Sequence, residues 1–246
     1  TSTDTATLTV GPFNHPPVGT LTLDGSAQIL AGASVSATAA FTDEDGDPLG
    51  FDWSLDAPDG SAASLILSGD ETQATFTADV PGEYVLSLSV TDGGKSAQAQ
   101  VIVTAYPLVA GTFSTQFTLT FVSSICEDFI GPPGQSVVVD MGVTQPSPST
   151  AGLGVSALIS NVQSDPVASL SPEGLAIYSG PIVLDTGLEP PDPTTITANG
   201  NITLPFQFAN GAGSPATGFD NGVFSFAAAF GPFSCTVQGS LESPPN

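Results

Sequence analysis

The stretch FTADVPGEYVLSLSVTDG, residues 76–93, decides the fold class of this chain. Between Val85 and Val90 apolar side chains alternate with small polar ones, which is the period of a strand with one buried face. Pro81-Gly82 precedes the alternation and Asp92-Gly93 follows it, and residues of these types form turns. The stretch therefore predicts a β-strand bounded by turns.

Short alternating runs of this kind recur along the whole chain, and helical periodicity is nearly absent. The clearest runs are 6–10, 35–39, 117–121 and 224–226. Turn signals separate the runs at Asp59-Gly60, Asp92-Gly93-Gly94, Asn199-Gly200, Asn210-Gly211 and Asn221-Gly222. The sequence is therefore predicted to be all-β, and its 246 residues suit one large or two ordinary domains.

Four spaced motifs lie between the Asn14-His15-Pro16-Pro17 linker and Ala105. They are FTDEDGDPL (41–49), FDWSL (51–55), FTADVPGEY (76–84) and LSVTDG (88–93). In this order they resemble a polycystic-kidney-disease (PKD) domain, an immunoglobulin-like β-sandwich common in bacterial and archaeal surface proteins. The resemblance implies a spacer or adhesion module at residues 14–105, with no enzymatic reaction.

The residues fit such a sandwich. Trp53 lies on a middle strand and is expected to pack between two sheets, rather than to bind a ligand. Phe41, Phe76, Leu86 and Leu88 are expected to point inward with it. Tyr84 follows Pro81-Gly82, where a phenol hydrogen bond often ties a strand corner in sandwiches.

The second domain, residues 106–246, is rich in Gly, Phe and Thr and has no charged clusters. Its successive hairpins, from 111–121 to 233–239, predict an antiparallel meander or small barrel. The order loosely resembles up-and-down β-barrel domains of secreted bacterial proteins. A second sandwich is the alternative.

The charge of the chain is strongly one-sided. One lysine, Lys95, and no arginine stand against 24 Asp and Glu, so the formal net charge is −23. Such a chain has no basic surface for nucleic acid or anionic lipid, and few ion pairs can form. The content of Asp and Glu is ordinary, whereas adaptation to high salt would raise it. We therefore favour durability outside the cell over salt adaptation as the reason for the lack of basic residues.

Two further features of the sequence bear on the cellular location of the protein. No run approaches the ~20 apolar residues of a membrane helix, and no signal-like leader begins the sequence. We therefore expect an extracellular or cell-surface protein, without membrane insertion, from which any secretion signal has been removed.

The two cysteines, Cys126 and Cys235, are far apart in sequence. An even pair without histidine partners or Cys-x-x-Cys spacing favours one disulfide over a metal or redox site. The bridge would join the first and last strands of the second domain. It also implies an oxidising compartment.

Asp43, Glu44, Asp45 and Asp47 crowd a short loop around Gly46. Alternate carboxylates at Asp43, Asp45 and Asp47 suit Ca²⁺, which takes six to eight oxygen ligands. The loop lacks the later glutamate of an EF-hand, so ligands must come from elsewhere, with Asp92, Asp24 or linker carbonyls near Asn14 as candidates. The alternative is a solvated Asp-Gly turn with no ion.

No motif predicts catalysis. His15, the only histidine, sits beside two prolines in a linker, and no Gly-x-Ser-x-Gly motif accompanies it. Lys95 belongs to a predicted hairpin turn, which argues against an isopeptide bond. Asn201-Ile202-Thr203 satisfies the N-glycosylation pattern, which makes Asn201 a candidate glycan acceptor.

Residues 1–13 form a further predicted unit. From Thr3 to Val10 threonines alternate with Ala6, Leu8 and Val10, as in the last strand of a sandwich. The segment is the remnant of a preceding domain, a strand donated to a neighbouring subunit by β-augmentation, or a strand paired with its own domain. Head-to-tail donation would build an open filament.

The sequence thus predicts a structural subunit or spacer of an extracellular filament or surface assembly, polymerising by strand donation. Its partners would be copies of itself or neighbouring surface domains. The alternative is an adhesion module that binds carbohydrate or a small ligand in a secreted multidomain protein. No cofactor other than Ca²⁺ is expected.

Overall fold

The computed structural model describes residues 13–124, 127, 131–157, 162–185, 195–209, 213–230 and 233–243. The predictions for Ala6, Leu8, Val10 and Cys126, and for the Asn210-Gly211 turn, lie outside the described residues. In the described part, sixteen strands form two sheets that face each other and one closed barrel. No helix in that part has the length and apolar character to cross a membrane.

The first eight strands form a β-sandwich. One sheet has the order β1 (Val18–Leu23), β3 (Ser34–Thr42), β6 (Gln73–Thr77), β5 (Ile66–Leu67). The other has the order β2 (Gln28–Leu30), β8 (Ser96–Tyr106), β7 (Gly82–Thr91), β4 (Gly50–Asp56). All pairs are antiparallel except β2 with β8, and this is an immunoglobulin-like arrangement.

The sandwich core follows the alternation in the sequence. Tyr84, Leu86, Leu88 and Val90 of β7 are buried, and Phe76 of β6 stacks on Tyr84 with ring centroids 5.3 Å apart. The predicted inward face of β7 is therefore confirmed.

Trp53 contributes to the same core from β4. It is partly buried, as is Phe41, and both pack against the buried residues. Its indole N–H donates to the carbonyl of Glu71 at 2.8 Å, so the polar end of the ring is satisfied. This is the packing role that the sequence predicts, but β4 is an edge strand of its sheet and not the middle strand that the sequence analysis expects.

The second eight strands close into a barrel. The order around it is β10-β11-β12-β13-β14-β15-β16-β9, and β9 pairs with both β10 and β16. The strands are β9 (Gly111–Val122), β10 (Ser136–Ser147), β11 (Thr150–Leu153), β12 (Val167–Leu170), β13 (Leu175–Asp185), β14 (Thr195–Gln207), β15 (Gly218–Phe230) and β16 (Phe233–Ser243). Of the two architectures expected for this domain, the structure is the barrel.

Aromatic rings fill the barrel interior. Phe113, Phe206 and Phe219 meet with centroid separations of 5.7–5.9 Å, and all three are buried. Eight-stranded barrels have room inside for either side chains or one small ligand. At the level of these rings the space is occupied by side chains.

Two predicted turns are wrong. Asn199-Gly200 lies inside β14 and Asn221-Gly222 inside β15. A Cβ on Gly200 would collide with the Ser225 carbonyl oxygen and the Phe226 ring, so the glycine allows neighbouring strands and a cross-strand ring to approach. Asn221 has φ 55° beside a register shift, which is a bulge.

Candidate functional site

Three loops meet at one end of the sandwich. They are the linker 13–17 before β1, the acidic loop 43–47 between β3 and β4, and the turn 92–95 between β7 and β8. This end contains the only lysine and the only histidine of the chain. We call this group the linker site.

The acidic loop folds as an Asx turn. Asp43 Oδ1 accepts the backbone N–H groups of Asp45 at 2.9 Å and Asp47 at 3.1 Å, while Gly46 takes φ 77°. The loop therefore has the Asp-Gly turn that the sequence offers as the alternative to an ion site. Carboxylate oxygens of Asp43, Asp45 and Asp47 nevertheless lie within 4.8 Å of one another.

His15 attaches the linker to this loop. Its backbone N–H donates to Asp45 Oδ2 at 2.7 Å, and its ring Nδ1 lies 3.2 Å from both oxygens of the same carboxylate. Its Nε2 is 3.9 Å from Glu44. The backbone hydrogen bond from His15 is the main cause that holds the pKa of Asp45 below its usual value.

Asp92 attaches the linker to the β7–β8 turn. Its Oδ1 accepts the N–H groups of Lys95 at 2.6 Å and Gly94 at 2.7 Å, and these bonds lower the pKa of Asp92. Its Oδ2 accepts from Asn14 Nδ2 at 3.2 Å. The Lys95 ammonium lies 4.4 Å from the centroid of Phe13, a cation–π contact.

The linker site has oxygen donors that suit Ca²⁺. Asp43 Oδ2 and Asn14 Oδ1 are buried and lack a hydrogen-bond partner among the described residues, and a buried unpaired oxygen is costly. Asp45 is already bonded to His15. Asp24 accepts from Thr38 Oγ1 at 3.0 Å, beyond the other end of β1, so it is not a candidate ligand here.

A shallow polar groove runs across the outer face of β4, β7 and β8, with a volume of about 370 Å³. Two cross-strand rows line it, formed by Asp52, Ser89 and Gln98 and by Ser54, Ser87 and Gln100. None of these side chains makes a hydrogen bond to the described residues. No aromatic platform for sugar lines the groove, because Trp53 faces the core.

The connection between the domains is held by Gln145 of β10. Its Oε1 accepts from Val109 N at 3.0 Å, and its Nε2 donates to the carbonyls of Pro107 at 3.0 Å and Pro148 at 3.1 Å. Leu108 O also accepts from Ala216 N at 2.8 Å. The sequence does not predict this role, because nothing local to Gln145 identifies partners 36 and 38 residues away.

A further contact between the domains joins Ser149 Oγ to Gln28 Oε1 at 3.0 Å. It lies beyond β10, next to Pro148, so it adds to the same junction. The C-terminal linker of the sandwich is thus bonded to the barrel, as its N-terminal linker is bonded to the sandwich loops.

Two other predicted site residues, Asn201 and Cys235, lie on strands of the barrel. Asn201 is exposed in β14, with Ser179 and Ser225 as cross-strand neighbours. Cys235 is buried in β16, next to Thr236, whose carbonyl accepts from Ser123 N at 2.9 Å. Ser123 is only three residues before Cys126, so the predicted bridge would lie near the seam where β9 and β16 close the barrel.

Residues 16–105 match the family model described as the K319L-like PKD domain. The first domain is a PKD domain. The match confirms the resemblance drawn from the four motifs, and it covers less than half of the chain. PKD domains are typically extracellular structural modules without catalytic activity.

Among solved structures, the chain matches the "Crystal Structure of Human Protocadherin-24 EC1-2". The match has 13% sequence identity and a TM-score of 0.30, and it covers 92% of this chain and 97% of the protocadherin chain. Similarity at this level does not establish a common fold over that length. No curated protein sequence matches the chain.

Proposed function

We propose that this chain is a structural spacer of an extracellular or cell-surface assembly. The observation that carries the proposal is that both linkers of the PKD domain are hydrogen-bonded to folded elements, the N-terminal linker to loops of the sandwich and the C-terminal linker to strand β10 of the barrel. Asn14 and His15 hold one linker, and Gln145 holds the other. A module fixed in this way keeps its neighbours at a set distance and orientation, which is what a spacer requires.

We further propose that copies of the chain polymerise, each donating the strand that contains Ala6, Leu8 and Val10 to its neighbour. At −23 per copy, subunits repel one another. Main-chain hydrogen bonds and apolar burial are independent of that charge, which favours strand addition over salt bridges as the joint.

Negative-stain microscopy tests polymerisation. We expect filaments from the full chain and single particles after deletion of residues 1–12, with an unchanged melting temperature of the PKD domain. Filaments that persist after the deletion would contradict polymerisation by strand donation. The matched control replaces Thr5 and Thr7 by serine, which keeps the strand pattern.

We also propose that the linker site binds Ca²⁺ through Asp43 and Asp47, with the Asn14 side-chain oxygen as a further ligand. The support is the chemistry of the donors and the two buried oxygens without partners. Bound Ca²⁺ would add a link between the linker and the PKD domain and stabilise it by mass action.

Thermal unfolding with CaCl₂ and with a chelator tests the ion. We expect a higher melting temperature in Ca²⁺, a difference that Asp43→Asn abolishes and Asp59→Asn, in a turn of the same domain, leaves intact. Equal melting temperatures of the unaltered chain in the two buffers would contradict Ca²⁺ binding at the linker site.

The second candidate function is adhesion to a hydroxyl-rich ligand such as a glycan. The groove with its two rows of polar side chains favours it. Glycan-array binding that is lost in Gln98→Ala but kept in Gln116→Ala, on the barrel, would support this function. Equal binding by both variants would argue against it.

A further inference from the structure

Strand β8 has no ladder partner on one side over most of its length. On one side it pairs with β7 from Ser96 to Ala105 without a register shift. On the other side β2 pairs only with Thr104 to Tyr106. Strand β1 approaches β8 but forms its ladder with β3. Among the described residues, then, no strand pairs with this side of β8 before Thr104.

The backbone groups of this edge point outward. Thr104 N–H donates away from β7, to the carbonyl of Ala27 at 2.8 Å. Because the β7–β8 ladder is regular, residues of the same parity direct their N–H and C=O groups to the same side. Gln98, Gln100 and Ile102 therefore offer a row of donors and acceptors to an incoming strand.

Two other edges of the sandwich, those of β4 and β5, are less suited to a new strand. The barrel is closed. Strand β4 has exposed Asp52 and Asp56 on its outer face, and charges on an edge strand discourage pairing. Strand β5 has two residues. Strand β8 carries no charge from Ser96 to Tyr106.

The chain enters the sandwich beside the start of this edge. Phe13 contacts Lys95, and β8 begins at the next residue, Ser96. A strand that leads into Phe13 from this edge would run antiparallel to β8. The inward-facing residues of β8 along the edge are Ala97, Ala99 and Val101, which are only partly buried.

We propose that the β8 edge from Ser96 to Ile102 is the acceptor for the strand Thr3–Val10 of this sequence. Ala6, Leu8 and Val10 would extend the apolar face beside Ala97, Ala99 and Val101, and the threonines would face solvent. The proposal names the partner surface for the strand donation proposed above, and it rests on the same donor segment.

Cysteine cross-linking in the full chain tests the edge. Thr7→Cys is combined with Gln98→Cys or Gln100→Cys on the β8 edge, and in the matched control with Ser54→Cys on β4, the opposite edge of the same sheet. Products are separated on non-reducing gels after a short bifunctional maleimide treatment. We expect cross-links at β8 at least tenfold more abundant than at β4.

The form of the product separates the two proposals. A ladder of multimers through β8 supports both the acceptor edge and polymerisation. A cross-linked monomer through β8 supports the edge and overturns polymerisation by donation. Cross-linking that is equal at β8 and β4, or absent at β8, overturns the edge. In an independent test, Gln100→Pro, which removes one outward N–H, should abolish the β8 product, whereas Gln100→Thr should keep it.

Discussion

Tyr84 shows how one side chain ties the sandwich. Its ring is fully buried against Phe76, and its hydroxyl donates to Val80 O at 2.9 Å and accepts from Val80 N at 3.1 Å. The same oxygen lies 3.1 Å from Asp79 Oδ1. Burial raises the pKa of this phenol, which keeps it protonated as a donor.

We expect Tyr84→Phe to destabilise the PKD domain by about 1–3 kcal/mol, because the Val80 backbone groups lose their partner at a partly buried position. Urea unfolding monitored by Trp53 fluorescence measures the change. Tyr106→Phe is the control, since Tyr106 is also buried but no hydrogen bond of its hydroxyl is present among the described residues. Equal effects of the two substitutions would contradict the role of the Tyr84 hydroxyl.

Asp79 makes this corner sensitive to pH. The Ser61 hydroxyl donates to it at 2.5 Å and the Ala62 N–H at 2.6 Å, and the Ser61 bond is the main cause that holds the pKa of Asp79 below its usual range. A lowered carboxyl pKa in the folded state adds stability above the unfolded pKa, and this is lost as pH falls through the folded pKa.

We therefore expect the melting temperature difference between the unaltered chain and Asp79→Asn to be constant above about pH 5 and to shrink below about pH 4. Calorimetry from pH 7 to pH 2.5 measures it. The comparison with a variant is needed because protonation of the other acids relieves the repulsion of the −23 charge in both proteins. A difference that stays constant down to pH 2.5 would exclude this linkage.

At the scale of elements, glycines let the long barrel strands approach one another. Gly200 faces Phe226 across the β14–β15 ladder, and Gly239 faces Phe224 across the β15–β16 ladder. A side chain at either glycine would meet a cross-strand ring and a backbone oxygen. These strands therefore require glycine for spacing rather than for a turn.

We expect Gly200→Ala to destabilise the barrel by about 1–3 kcal/mol, the usual cost of overpacking. Gly142→Ala in β10 is the control, because a Cβ there meets no atom within 4 Å. Equilibrium unfolding in guanidinium chloride compares the two variants. If Gly142→Ala proved as damaging as Gly200→Ala, close strand approach would not be the reason for the glycine.

The predicted disulfide would lie near the seam where β9 pairs with β16 and closes the barrel. Ser123 and Thr236 are bonded through both the Ser123 backbone N–H and its side-chain oxygen. We expect a Cys126–Cys235 bridge to stabilise the barrel by roughly 4–5 kcal/mol in the chain-entropy model. Non-reducing mass spectrometry should detect no free thiol, and a reductant should lower the melting temperature. Two free thiols would end this prediction.

At the scale of the whole molecule, Gln145 joins the two domains. One amide side chain satisfies three backbone groups around the linker 107–109 and Pro148. Gln145 belongs to strand β10 of the barrel, and its hydrogen bonds hold the linker that leads out of the PKD domain. The orientation of the PKD domain relative to the barrel therefore depends in part on this side chain.

We expect Gln145→Ala to lower the free energy of unfolding by about 2 kcal/mol and to widen the distribution of interdomain distances measured by small-angle X-ray scattering. Gln116→Ala, on the exposed face of β9, should change neither. An unchanged scattering profile for Gln145→Ala would mean that the remaining contacts, such as Ser149 with Gln28, hold the domains without it.

Local pattern in the sequence determined the class of the fold and the PKD domain. The alternation around Val85–Val90 depends only on neighbouring residues, and so does the Asp-Gly turn at 43–47. The prediction that nucleic acid is not a partner needs only the net charge, which is a sum over residues. The corner of Tyr84 could also be predicted, because Pro81-Gly82 and the phenol are close in sequence.

Only the tertiary structure decided whether the second domain is a barrel, because closure depends on β9 meeting β16 at the far end of the domain. It also turned Asn199-Gly200 from a predicted turn into a point of close strand approach. The hydrogen bonds of His15 with Asp45 and of Gln145 with the linker could not be predicted from the sequence for the same reason. Hydrogen bonds between residues 30 or more positions apart leave no local pattern in a sequence, and the fold alone brings such residues together.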